Sequence, residues 1–582
     1  MSFPRPTTLA SLAILVHGGV FGPPAPTGPT PGNWNWGPAA GQPLAASTVS
    51  TGGETDARGD WWNWWERNRF DYLVPRRAWN AAPTTGADDF LAERIARRLS
   101  QSLLSHREEV VRDRVRPLLE RGLDDPDYNV RSSALIAGGR LLGAASVSAA
   151  RAALRDAHAQ VRDAAVLALG ASASEEGVAL LAALALDEPL GRAATGEGRV
   201  EVRTRAVALI ALGVASARGG PGTVLEVAPK ILLDRDANRR LELGTAAAAA
   251  LGIAGKAAAV PRLVPIAADP KEIAEVRARA LAALGAIEDG AGRGAIERAL
   301  EERDERVRGA AAIALGTLAR PGDEDAAARL ARLVVEEESP FVSGFARIAL
   351  GQVGGPLARE TLLREVVRGR IQDRSFAAVG LALAIRDTLD ESARERLRAA
   401  FESPGSPDRR TAFALALSLA GGVQGSERVV ATFRRAKDLR TRSELPEAFA
   451  LVKDGEGREA LLASLEKEGN AFARGRSTFA LGFFCDPHDV APMGAAMGAN
   501  RVSSWMGLYS LGLGFHGSDS ALVELLRIAE DGKASAVSRA AAIDGIAIAL
   551  DEDPIPTLHR LARASNYLAD PGFIHEILAF TL

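Results

Sequence analysis

Seven histidines, one cysteine and 73 carboxylates are the groups from which a reactive centre would have to be assembled. The histidines stand at positions 17, 106, 158, 488, 516, 559 and 575, with no pair at i, i+4 and no His-Glu-x-x-His, so the spacing that puts two imidazoles on one helical face is missing. His575-Glu576 is the one His-Glu dipeptide. Cys485 stands alone, which excludes an intrachain disulfide and any cysteine-rich zinc or iron–sulfur site. It sits beside Phe483 and Phe484 and reads as a small buried hydrophobe. Gly512 to Gly517 spells G-x-G-x-x-G, but a dinucleotide fingerprint needs a strand before it and a crossover helix after it, and the context is a helical segment. There is no G-x-S-x-G and no Walker A loop. The expectation is no catalytic residue, no metal and no cofactor.

Aromatic residues offer recognition instead. Seven of the eight tryptophans precede residue 80, and Trp61, Trp62, Trp64 and Trp65 fall within five positions. If residues 60 to 73 are helical, Trp61 and Trp65 share a face with Asn68 and Arg69, and Trp62 extends a neighbouring stripe. That surface is either an anchor for a protein partner or a membrane interface, or a helix docked over the first structural unit as a cap. A second group, Trp505, Tyr509 and Phe515, stands in the last third of the chain, where larger side chains replace alanine. It reads either as a binding patch or as core packing.

The elements that must position these residues differ along the chain. From Arg5 to Glu54 no charged residue intervenes, and proline and glycine are dense after Phe21. Residues 1–22 read as a signal-like apolar segment whose stretch from Leu9 to Val16 is too short to span a bilayer. Residues 23–59 read as a Pro/Gly-rich linker and 60–87 as a tryptophan-rich segment. Residues 88–582 are a repeat array. The 70 basic and 73 acidic residues nearly cancel, so nothing draws the protein toward nucleic acid.

Within the array one pattern recurs: a polar residue, Val-Arg, two small residues, then Ala-Leu-Gly. It appears at Val130-Arg131, Val161-Arg162, Val202-Arg203, Val276-Arg277 and Val307-Arg308, 31 to 41 residues apart where consecutive. Val307, Ala310, Ala311, Ala314 and Leu315 fall at i, i+3, i+4, i+7 and i+8, one face of a helix. Each unit therefore reads as two helices with the second packed inward. The recurrent glycine either admits a neighbouring backbone or ends the helix. The recurrent arginine is expected to pair with an acid of the preceding turn, such as Asp127, Glu201, Glu275 or Glu305.

The Val-Arg-x-x-Ala-Ala-x-Ala-Leu-Gly consensus resembles short HEAT repeats. That resemblance implies an all-α solenoid, a superhelix of about thirteen helix pairs on the order of 100 Å long if helices pack 8–10 Å apart. His17 to Pro23, followed by the Pro/Gly tether and Trp64-Trp65-Glu66-Arg67-Asn68, is similar to exported bacterial HEAT-repeat proteins. It implies a periplasmic or cell-envelope location. HEAT-repeat hydroxylases that hold iron carry several His-Glu dipeptides, and this chain has one. The leading expectation is an exported, non-enzymatic scaffold for a protein partner. The alternatives are a chromophore-lyase-like HEAT-repeat enzyme and a binding protein in peripheral membrane contact through its N-terminal segment.

Overall fold

A computed structural model describes residues 61–73 and 106–581, apart from 235, 389, 404, 422–425, 501–504, 554–557 and 564. The signal-like segment, the linker and the start of the array at 88–105 lie outside the described residues. Those described form helices and turns, with no strand among them.

The first helix is α1, Trp61–Asn68. Thirteen inner helices follow: α2 (Tyr128–Leu142), α3 (Ala159–Ala171), α4 (Val202–Ala217), α5 (Ala237–Ala254), α6 (Ala274–Ile287), α7 (Glu305–Leu318), α8 (Pro340–Val353), α9 (Arg374–Ile385), α10 (Pro407–Leu419), α11 (Leu439–Val452), α12 (Ala471–Leu481), α13 (Met506–His516) and α14 (Ala536–Leu550). Each is preceded by an outer helix that packs on it, from Arg116–Leu123 before α2 to Asp519–Glu530 before α14. Among the described residues this makes thirteen helix pairs, the number read from the repeats. Short helices α15 (His559–Ala562) and α16 (Gly572–Thr581) end the chain.

Local sequence sets these boundaries. Asp127, Asp304, Asp438 and Asn470 each stand just before an inner helix and accept a hydrogen bond from a first-turn N–H. Behind the cap comes the arginine. Arg308 donates to the carbonyls of Glu302 and Arg303, then forks onto Glu337 at 2.8 and 2.9 Å. Arg131 does the same with Asp125 O, Pro126 O and Asp156, and Arg442 reaches Glu468. The ladder of ion pairs is present at Arg131, Arg277, Arg308 and Arg442, but its acids come from the following turn, 25 to 29 residues later, while Arg203 turns back to Asp163 of the preceding repeat. The reason is direction: the side chain leans back over the preceding outer helix, whose last carbonyls need donors, and the next repeat stacks alongside. Asp127 is spent on capping, and Glu275 and Glu305 bind Arg306 and Ser339 instead.

The recurrent glycines remove a side chain where backbones meet. A Cβ on Gly170 would lie 2.5 Å from Ala211 O, and one on Gly213 would lie 2.6 Å from Ala250 O. Both glycines are inside their helices, so close approach, and not termination, explains them. The G-x-G-x-x-G stretch has the same cause: it is the end of α13, with Gly512 against Thr478 O and Gly514 against Gly545 O. Cys485 is half-buried at φ +58°, with Sγ 3.7 Å from Gly482 O, and does not join the core as expected.

Each inner helix packs on the next, and α14 packs on α2. The solenoid therefore closes into a ring, where the repeat pattern had implied an open rod. At the closing seam Ser133 donates to Asp544 at 2.6 Å, Arg140 pairs with Asp551 at 2.6 Å, and Arg539 pairs with Asp125 at 2.5 Å. Thirteen helices spaced by about 8.5 Å give a ring about 35 Å across the inner axes. Subtracting one helix diameter of about 10 Å leaves a lumen about 25 Å wide, more than wall side chains can fill.

Candidate binding site in the lumen

Two segments of the chain itself occupy that space. The first is α1 with a 3₁₀ turn over Arg69–Asp71. Eight residues cannot hold a helix alone in water, so docking must hold this one. Its tryptophans point to several sides, which suits a helix surrounded by protein. Trp61, Trp62, Trp64 and Trp65 are between 0 and 6% exposed.

The indole N–H groups of Trp61 and Trp65 are aimed at wall residues. Trp61 Nε1 donates to Asp408 Oδ1 at 2.7 Å, on the first turn of α10. Trp65 Nε1 donates to Glu447 Oε2 at 2.5 Å, and Arg69 donates to the other carboxylate oxygen at 3.0 Å. Arg476 of α12 reaches Glu447 at 3.0 Å and Glu66 at 3.2 Å. Glu66, Arg69, Glu447 and Arg476 thus form a neutral quartet of two carboxylates and two guanidiniums. Glu447 and Arg476 are fully buried. Burial pushes the Glu66 carboxyl up, against the pull of Arg476 and Arg69, and pushes the Arg69 guanidinium down, against Glu447. Such charges persist in a dry site only because every one has a counter-ion.

Around the quartet lies an aromatic lining. The guanidinium of Arg476 lies over Trp62 at 4.9 Å and that of Arg69 over Phe479 at 4.5 Å. Phe70 meets Phe515 at 5.4 Å and His559 at 5.3 Å. Tyr72 stacks on Trp65 at 5.7 Å, and burial pushes its hydroxyl up to about 12.

The second segment is the C-terminal tail from Leu558 onward. His559 and Arg563 both contact Asp71, at 3.3 and 3.2 Å, and Arg67 lies 3.2 Å from His575 Nδ1. The tail then crosses the opposite wall. Asn566 donates to Arg306 O at 2.8 Å, Tyr567 meets Phe345 edge-on at 5.4 Å, and Arg279 holds Asp570. Glu576 takes one end of Arg203, whose other end holds Asp163. The one His-Glu dipeptide is thus accounted for by two packing contacts.

Of the seven residues expected to bind, the lumen brings together Trp61, Trp62, Trp64, Trp65 and Phe515. Trp505 is half-buried on Phe472, and Tyr509 donates to Ala471 O at 2.8 Å between repeats, so these two belong to the wall. The tryptophans do not stand as exposed anchors: their surface is covered by the ring's inner face. Nor do they cap the first repeat, because α1 and the turn after it lie against α10 to α13. Sequence reasoning missed Asp408, Glu447 and Arg476. A signal existed, since Glu444 and Glu447 interrupt the apolar inward face of α11, where a carboxylate requires a buried partner.

Residues 115–198 and 271–351 match the family model for HEAT repeats. The chain carries HEAT repeats. No curated protein matches the chain. Among solved structures the HEAT ring is similar to human deoxyhypusine hydroxylase in complex with glycerol, at 21% identity over 54% of this chain and 98% of that one, with a TM-score of 0.21. It is similar to the CpcE–CpcF complex of phycocyanin lyase from Nostoc sp. PCC7120, at 20% identity over 46% and 96%, with a TM-score of 0.30. It is also similar to Kap121p, at 11% identity over 74% and 67%, with a TM-score of 0.32. At these values the likeness concerns the helical-repeat fold alone.

Proposed function

We propose that this HEAT ring is a non-enzymatic, exported scaffold that binds polypeptide at its inner face. The observation that carries the reading is the docked α1 segment: the wall offers acceptors for indole N–H groups, a carboxylate for arginine and an arginine for a carboxylate, which is the equipment of a peptide receptor. The signal-like residues 9–16 and the tether after them support the export part. The full-length protein is to be cross-linked in its own cells and captured beside a Trp65→Ala variant. A saturable polypeptide partner whose yield changes with the variant is expected. Nothing above controls with either protein would overturn the reading. The N-terminal residue of the natively purified protein checks export: a start beyond residue 16 is expected, and an intact Met1 would overturn it.

A further inference from the structure

We propose that α1 is an exchangeable ligand, able to leave its own ring and dock into the lumen of a second copy of the chain, so that the inner face of α10 to α13 is an interface between copies. This rests on the reading of the inner face as a peptide receptor.

Three observations carry it. The wall closes without α1: the seam pairs Ser133–Asp544, Arg140–Asp551 and Arg539–Asp125 all lie between array residues, so a ring remains when the segment departs. The chemistry across the contact is complementary in sign, with Glu447 of the wall on Arg69 and Arg476 of the wall on Glu66, and a second copy presents the same side chains in the same order. The tie between segment and ring is long. With the array beginning at residue 88, residues 74–87 separate Leu73 from it, and 14 residues span at most about 50 Å, more than the roughly 35 Å diameter of the inner ring.

Covalent attachment to the same chain gives the segment an effective concentration near its own lumen on the order of millimolar. Docking within one chain therefore prevails in dilute solution. Exchange prevails where copies are crowded, or where a chain's own segment is defective. In a reciprocal exchange the contacts of the quartet between segment and wall are remade between chains, which is the low-cost route to a symmetric pair.

Two full-length variants test this by complementation. One carries Trp65→Ala with Arg69→Ala, which spoils the segment and spares the wall. The other carries Glu447→Gln with Arg476→Gln, which spoils the wall and spares the segment. Each alone is expected to run as a single chain in light scattering, and their mixture is expected to form a 1:1 complex. Should the wall variant not fold, a labelled peptide of residues 61–73 is titrated into the segment variant and into the unmodified chain. It is expected to bind the segment variant at least about tenfold more tightly, because the unmodified lumen holds its own competitor. No complex between folded variants, or a peptide that binds neither protein, would overturn the exchange. That result, together with a saturable partner captured in cells, would leave the scaffold reading standing while this inference falls.

Discussion

The two halves of the ring solve the same packing problem with different residues. In the early half, α5 buries Ala246 to Ala250 in one run against its neighbours, and the arginines of α6 and α7 turn to carbonyls and acids of the adjoining repeat. In the late half, α11 to α13 bury Phe479, Tyr509 and Phe515 together with Glu447 and Arg476. The small residues of the early wall are satisfied by the wall itself. The charges of the late wall pair partly with one another, Arg476 with Glu447 at 3.0 Å, and partly with a segment from elsewhere in the chain. The early wall has buried ion pairs too, Arg240 with Glu272 inside the wall and Arg279 with Asp570 of the tail, so what sets the late side apart is a charge cluster completed by the tryptophan helix.

That contrast can be broken by removing one group from each half. Glu447→Ala leaves Arg69 and Arg476 buried without their shared counter-ion and should cost about 3 to 5 kcal/mol in chemical denaturation. Trp65→Ala should cost about 3 kcal/mol or somewhat more if α1 unfolds with the wall. If the segment undocks separately, tryptophan emission should shift to the red while far-ultraviolet helicity is kept. Gly213→Ala in the early half forces a Cβ against Ala250 O and should lower stability by about 1 to 3 kcal/mol, read as a fall in melting temperature. Arg308→Ala removes a partly exposed fork and should cost about 1 kcal/mol or less. A loss at Arg308 as large as that at Glu447 would dissolve the distinction between the halves.

The seam where the halves join supplies a pH signature. Burial raises the Asp544 carboxyl to about 8, against the hydrogen bond from Ser133 and the nearby Arg140, which is itself held by Asp551. Its ordinary value is 3.8, so between about pH 4 and pH 8 the native seam holds a proton that the unfolded chain does not. Stability should therefore fall as pH rises through that window. Asp544→Asn should flatten this slope, which melting curves at pH 5, 6.5 and 8 would show. An unchanged slope would place the titration elsewhere.

Much of the architecture was legible in the chain. The Val-Arg pairs and the apolar spacing from Val307 to Leu315 placed inner helices where they stand, and the number of repeats agreed. The glycines announced close approach, though termination was an equal reading until Gly213 was seen beside Ala250 O. The arginine ladder was expected with the wrong acids, because sequence proximity suggested Glu275 and Glu305 while stacking delivered Glu302 and Glu337. The tryptophan cluster stood out as the place to look. Its destination did not, since nothing in a stretch of five residues says which of thirteen repeats it will meet.

What the sequence by itself determined is everything with a short period: helix or turn, inward or outward face, cap, arginine and glycine, since these follow from neighbours one to eight positions apart. What only the tertiary structure decided is closure and its consequence. A small change in the angle between successive repeats, summed thirteen times, separates an open rod from a ring, and no single repeat encodes that sum. Closure in turn made a lumen, and the lumen turned tryptophans that could have faced a partner into the ring's own ligand.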